Sequence, residues 1–440
     1  MRVLLDSRGR RFADGRGLLG GSPPRLMRLG ATGARVLDSW LAGHGVSDDP
    51  AHTVLARRLL DAGIVHPTPE PNRAARHSVT IVIPVRDNAA GLARLTSTTV
   101  GDCRCVIVDD GSRIPLPDAT ARHRVSRGPA AARNTGVHGV ETALVAFLDS
   151  DTIPAPDWLD TVVPLFEDPA VAAVAPRVRS LPDGPIGRYE SRRSALDMGE
   201  RPATVRPDSH VRYVPSAALV VRVDALRAVG GFDERLRFGE DVDLVWRLVA
   251  AGHTVRYQPD SIVHHEPRAS LIPFLRQRFD YGTSAAPLSA RHPEMLAPAI
   301  LTPATLAQFA LVMCGYPAAA LAPSLVSAAM ALRMLRRGGV PMPIAAELVA
   351  TGQLTLARQL AAATRRTWWP LLLWSPRGRT VLRIACAVAA LESAAEGTDP
   401  ALRLADDAAY ALGVWAGCAR TGTWRPLVPR MARFTRRSRR

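Results

Sequence analysis

Short apolar runs closed by polar or acidic residues organise the middle of this chain. The segments 78–84 (SVTIVIP), 105–108 (CVIV) and the run ALVAFL ending at Leu148 have the length and β-branched content of buried strands. Apolar positions around 91–98 recur at helical spacing, and EDVDLVWRLVAAG from Glu240 reads as an amphipathic helix stopped by glycine. Strands alternating with helices predict an α/β fold with a parallel, doubly wound, Rossmann-like sheet. Such sheets bind ligands at the carboxyl ends of their strands.

The pattern differs on either side. Residues 2–21 read as a short strand pair with glycine turns. PRLMRLGATGARVLDSWLAG predicts a helix beginning near Thr32, and AHTVLARRLLDAGIVHP a second amphipathic helix with a glycine stop. A strand pair followed by three helical pieces suggests a small winged-helix domain over 1–68, and the Pro-rich, charged stretch 69–77 reads as a linker to a catalytic segment 78–285. From 286 to 440 the chain is Ala/Arg-rich and helical. No residue from Met295 to Leu332 is charged, longer than a membrane span requires, but Pro298, Pro303, Pro317 and Pro323 divide it. A soluble helical core or an interfacial hairpin accounts for it as well as a span does. Arg333, Arg336 and Arg337 follow, and TWWPLLLW, too short to cross, suits a membrane interface.

Composition narrows the partners. The formal net charge is +16 and all 56 basic residues are Arg. Such charge suits nucleic acid, anionic lipid or anionic substrates. With 5% aromatic residues and no nucleic-acid-binding motif, nucleic acid is excluded as the expected partner. The tail MARFTRRSRR is a basic end suited to phosphate headgroups. The five cysteines lack metal-ligand spacing and follow no export signal, so a cytoplasmic protein with reduced thiols is expected, peripheral on the inner face of the membrane at most.

Acidic motifs carry the chemistry. Asp109-Asp110 closes the second strand, Asp149-Ser150-Asp151 the third, and Glu240-Asp241 opens the late helix. Carboxylates at the end of a buried strand are costly unless neutralised, and a divalent cation carrying a diphosphate does that. Asp149 and Asp151, two residues apart, can both approach one metal, and Mg²⁺ and Mn²⁺ both suit oxygen-rich sites. Glu240 and Asp241 also favour a helix N-terminus on electrostatic grounds alone. Asp233, Glu234 and Asp243 read as structural or solvent-facing, and Arg127, Arg268, Arg276 and Arg278 as solvated surface.

Taken in order, IVIPVRDN, VIVDDGS, RGPAAARNTG, VAFLDSDTIP and FGEDVDLVWRLVAAG resemble the family 2 glycosyltransferases over roughly 78–281. That resemblance implies a GT-A type fold, a nucleotide-sugar donor and an inverting, metal-dependent hexosyl transfer. It places Pro84, Asp109 and Asp110 along the nucleotide base, with Asp110 as the main base contact. Arg133 faces the nucleotide, and Asp149 and Asp151 hold metal and diphosphate. Asp241 is implied as the catalytic base with Glu240 beside it. A further metal ligand is implied in PDSIVHHEPR, where the register favours His265 over His264.

The first seventy or so residues are similar in pattern to PqqD-type peptide-recognition domains, in which a leader peptide adds a strand to a sheet edge. This pairing of units resembles the glycosyltransferase family of mycofactocin biosynthesis, which implies UDP-glucose as donor, a peptide-derived redox cofactor as acceptor and a β-linked oligosaccharide as product. The alternative is a membrane-associated transferase of cell-envelope polysaccharide or glycolipid synthesis. Against it, LRQRFDYG lacks the Trp of the membrane synthases' Q-or-R-x-x-R-W motif. A non-catalytic binding protein is disfavoured by the intact Asp149, Asp151 and Asp241.

Overall fold

The computed structural model describes residues 1–99, 103–293 and 295–432, so most of the basic tail lies outside the described residues. The chain divides into two compact units, Met1–Arg268 and Ala269–Arg440.

A nine-stranded sheet forms the centre of the first unit. Its order is Thr152–Pro154, Thr254–His265, Val171–Ser180, Ala218–Arg222, Leu144–Leu148, Val79–Val85, Arg104–Asp109 and Ala121–Arg122, with Ala203–Thr204 added beside Thr254–His265. Leu144–Leu148, Val79–Val85, Arg104–Asp109 and Ala121–Arg122 run parallel. Ala218–Arg222 is antiparallel to both its neighbours. The sheet is therefore mixed, correcting the expectation of a parallel one. Alternation of strand and helix predicts parallel pairing only where a helix carries the chain back over the sheet. The chain reaches Ala218–Arg222 instead from the strand Ala203–Thr204, paired beside Thr254–His265, after the helix Gly184–Arg193.

Near-continuous apolar sequence in Val79–Val85 and Leu144–Leu148 follows from burial on both faces. Ile81, Ile83, Leu148, Val174 and Val220 are fully buried in one cluster with Leu95 of the helix Ala89–Thr99. The register sets Val85 opposite Asp109, so the polar ends of both strands open on the same edge.

The N-terminal segment has more strand and less helix than its sequence suggests. Arg10–Phe12, Gly17–Gly20 and Arg25–Arg28 form an antiparallel three-stranded sheet, and Arg2–Leu5 pairs with Val65–Thr68. RLMR is thus a strand, its residues alternately half-buried and exposed. Two helices, Ala31–Leu41 and Pro50–Asp61, bury Leu37, Trp40, Leu59 and Leu60. Within the expected linker, Arg73–Ser78 is a 3-10 helix whose Arg76 donates to Asp160. Arg57 of the second helix donates to Asp168 at 2.8 Å.

The second unit is helical. Leu271–Thr283 packs on Pro400–Thr421 with backbones almost touching, since a Cβ on Gly413 would meet the Phe279 carbonyl oxygen at 2.0 Å. Arg278 is 3% exposed and lies 3.5 Å from Asp406, which corrects its reading as solvated surface. Arg365, also buried, donates to Asp407 at 2.8 Å and to the Ala385 carbonyl. The uncharged stretch becomes the helices Pro303–Cys314 and Leu321–Arg337, separated by a glycine stop at Gly315. Among the described residues no helix is long and apolar enough to cross a membrane.

Candidate active site

The carboxyl ends of the central strands gather most of the acidic motifs. Asp109 is fully buried and accepts the backbone amides of Ser112 and Leu116, with Arg122 at 3.4 Å. Asp110 accepts twice on each oxygen. One takes the Arg127 amide and the His123 ring, the other the Ser126 hydroxyl and the Gly128 amide. Burial opposes the Asp110 charge, but these donors outweigh it and hold the carboxyl below its ordinary range. In this form Asp110 shapes the loop 123–128. Gly111 permits the close approach, with φ +72° and a site where a Cβ would meet the Ser126 amide at 2.6 Å. Pro84, half-buried, ends the neighbouring strand opposite Val108.

Arg133 stands on the helix Pro129–Val137, which starts at the positive-φ residue Gly128. It is 3% exposed and donates to Glu240 at 2.8 Å and to Asp149 at 2.7 Å. Its guanidinium also lies 5.4 Å from the centre of the Phe232 ring. Asn134 fixes that ring's backbone, donating to the Phe232 carbonyl and accepting its amide. Arg133 thus ties the strand-end acid to the late helix. Arg127 and Arg268, read as surface, pair with Glu234 and Asp151 respectively.

Glu240 and Asp241 open the helix Glu240–Ala250 behind Gly239, whose φ is +79°. Burial, with the adjacent Asp241 charge, pushes Glu240 up to about 7 against the pull of Arg133. Asp241 accepts from its neighbour Val242 at 2.8 Å and from the Ser216 amide at 3.2 Å. Burial also raises its carboxyl, against those hydrogen bonds and Arg133. Asp243, fully buried, pairs with Arg247, which also donates to the Val229 and Gly231 carbonyls. That locks the helix in place.

On the other side, Thr152 lies opposite His265 in the antiparallel edge pair, which brings Asp151 Oδ1 within 3.4 Å of His265 Nε2. Burial resists both charges, yet each group offsets it for the other, so Asp151 falls to about 2 and His265 rises. An oxygen and a nitrogen donor at this separation fit two positions around one Mg²⁺ or Mn²⁺ ion. Asp149 is turned to Arg133 instead. Among the described residues no group of three or more His, Cys, Asp or Glu side chains is placed to hold a metal. His264 points elsewhere, its Nδ1 buried without a hydrogen bond.

The sequence did not single out Ser216, Phe232 or His123. Ser216 acts through its backbone and has no side-chain signature. Phe232 sits in an ordinary GGFDE turn, and His123 is a lone histidine in a loop.

Residues 107–280 match the model of the glycosyltransferase-like family 2. The pre-mycofactocin glycosyltransferase of Mycobacterium tuberculosis is 41% identical, covering 98% of this chain and 97% of its own. The chain belongs to that glycosyltransferase family. Glycosyltransferase AglE of Haloferax volcanii is 28% identical over 46% of this chain and 71% of its own length. Among solved structures, a mannosyltransferase from Pyrobaculum calidifontis in complex with GDP-Man and Mn²⁺ has 19% identity and a TM-score of 0.41, covering 78% of this chain and 94% of its own. In this member of the family the matched segment begins in the strand Arg104–Asp109 and takes in most of the mixed sheet.

Proposed function

We propose that this enzyme transfers glucose from UDP-glucose to a peptide-derived acceptor, premycofactocin, with inversion at the anomeric carbon, and builds a β-linked oligosaccharide by repetition in the cytoplasm. The observation that carries the reading is the convergence of Asp149, Arg133, Glu240 and Asp241 at the strand ends. The name of the Mycobacterium tuberculosis relative supports the acceptor.

In the reaction the acceptor hydroxyl oxygen attacks the anomeric carbon and its proton passes to Asp241. The bond from that carbon to the diphosphate oxygen breaks, and the electron pair leaves on UDP. A raised carboxyl makes Asp241 a better base than a free aspartate at the moment the C–O bond forms. Arg133 holds Glu240 and Asp149 fixed beside it, so placement is set before substrate arrives. Asp151 and His265 would hold Mg²⁺ or Mn²⁺, with Asp149, whose side chain is 32% exposed, as a third candidate. The cation would supply charge neutralisation for the diphosphate.

Pro84 sits at the end assigned to the nucleotide base, and Asp109 and Asp110 serve it from beneath by holding the loops 112–116 and 123–128. Residues 1–68 serve as a PqqD-like peptide-recognition domain. Arg25–Arg28, one of the two outer strands of its three-stranded sheet, offers an edge such a peptide would extend. Residues 69–77 then link it to the catalytic segment 78–285, with the helical region 286–440 following.

The test is a transfer assay with purified enzyme, UDP-glucose, Mn²⁺ or Mg²⁺ and an extract containing the peptide-derived cofactor. Hexose mass increments on that cofactor, abolished by EDTA, are expected. Hexose appearing only in lipid extracts would overturn the acceptor assignment.

A further inference from the structure

Charge and apolar exposure are both segregated in the second unit. Between 295 and 391 there are nine arginines and one carboxylate, Glu347. The helix Leu321–Arg337 buries none of its residues, and Pro303–Cys314 buries only Thr305. An apolar surface of this kind, left open to water, marks an interaction site.

The surface has a tip. Arg377, at the start of the helix Pro376–Glu396, donates to the Met313 carbonyl at 3.3 Å. A Cβ on Gly315 would meet the same guanidinium at 3.0 Å. These contacts bring the turn after Pro303–Cys314 beside the turn after Trp369–Leu372. On the first turn Tyr316 is 62% exposed, and on the second Trp374 is 88% and Leu371 55% exposed. Arg377 and Arg379 are exposed among them, and neither turn carries a carboxylate.

We propose that this tip seats the protein on an anionic lipid bilayer, with Trp374, Tyr316 and Leu371 entering the interface and Arg377 and Arg379 at the headgroups. Indole and phenol rings collect at that depth, and each guanidinium near an anionic surface adds attraction. A second copy of the chain would bring like charges together. Nucleic acid would leave the aliphatic side chains without partners. The tip meets the bilayer edge-on and inserts no helix across it.

The experiment is vesicle cosedimentation of the full chain, with phosphatidylcholine alone and with phosphatidylcholine containing phosphatidylglycerol. The protein is expected to sediment with the anionic vesicles and to be released by salt. Trp374→Ser combined with Leu371→Ser should weaken binding on the order of tenfold. Arg377→Gln with Arg379→Gln should weaken it by about tenfold, with loss of most salt sensitivity. Trp374 and Leu371 are exposed, so thermal unfolding of that variant should not change, and the same measurement on the arginine variant separates lost lipid contact from loss of the Arg377–Met313 and Arg379–Leu373 bonds.

Several results would overturn the assignment. One is absence of sedimentation with either vesicle, and another is equal binding by the tip variants. A third is binding lost only when Arg433, Arg436, Arg437, Arg439 and Arg440 become Gln, which would move it to the tail. A concentration-dependent dimer dissolved by Trp374→Ser would assign the tip to a second copy, and an oligonucleotide bound through the same side chains would assign it to nucleic acid. The readout is sedimentation, so failure leaves the transferase reading intact.

Discussion

The backbone amide of Ser216 donates to Asp241 at 3.2 Å, and the next carbonyl, that of Ala217, accepts the amide of Asp149 at 3.0 Å. One dipeptide therefore spaces the proposed base from the strand-end acid, while Arg133 bridges the same two regions through Asp149 and Glu240.

Replacing Asp241 by Asn keeps the Ser216 contact geometry but removes the proton acceptor. Hexose transfer should fall by about three orders of magnitude, within the range for losing a positioned general base. Donor binding, followed by calorimetry, should persist. Transfer at near wild-type rate would remove Asp241 from that role.

The pH profile of transfer gives a second test. Asp241 must be ionised to accept the proton, and its folded-state value lies above the ordinary 3.8. Activity should therefore rise with pH along an acid limb lying above pH 3.8, read as kcat/KM against pH with structure monitored in parallel.

Asp110 has the opposite sign. Its folded value is depressed, so its stabilisation is fully present above the unfolded value near 3.8 and is lost as pH falls through the lower folded one. Chemical denaturation between pH 5 and pH 2, about the span over which carboxylates protonate, should show wild type losing more stability than Asp110→Asn.

Arg133→Met should destabilise the fold by about 3 kcal/mol, because it leaves the buried Glu240 carboxylate without its partner. Adding Glu240→Gln removes that charge and should restore part of the loss. Thermal unfolding of the two variants and the pair forms the cycle. Strict additivity would show that the two residues do not interact.

His265→Ala should weaken Mn²⁺ binding, measured by paramagnetic resonance with UDP present, while leaving the His264 side intact. Unchanged metal affinity would exclude His265 as a ligand.

The strands were legible because buried β-branched runs such as Val79–Val85 carry an unambiguous signal, and the acidic residues closing them mark strand ends. The reversal at Ala218–Arg222 was hidden, since strand direction is set by the path of the connecting chain and leaves no mark on composition. The strand RLMR was not expected, because a four-residue run has too few positions to show a period. Within the site, the sequence located Asp149, Asp151, Arg133 and Asp241 as residues, but their partners depend on side-chain direction. Asp149 and Asp151, two apart, point to Arg133 and His265 respectively. Asp110 looked like a ligand contact by position, and its four local hydrogen bonds were invisible because they come from two amides, a serine hydroxyl and a lone histidine.

The inserted antiparallel strand also bears on how the chain is made. Leu144–Leu148 leaves the ribosome about seventy residues before its partner Ala218–Arg222, and Val171–Ser180 waits with it. During that interval two strongly apolar strands present open hydrogen-bonding edges, the form most prone to pairing with another chain. Ala218–Arg222 joins the two, but Val171–Ser180 keeps an open edge until Thr254–His265 follows, so the stretch of synthesis over 149–253 is where pairing with another chain competes with folding.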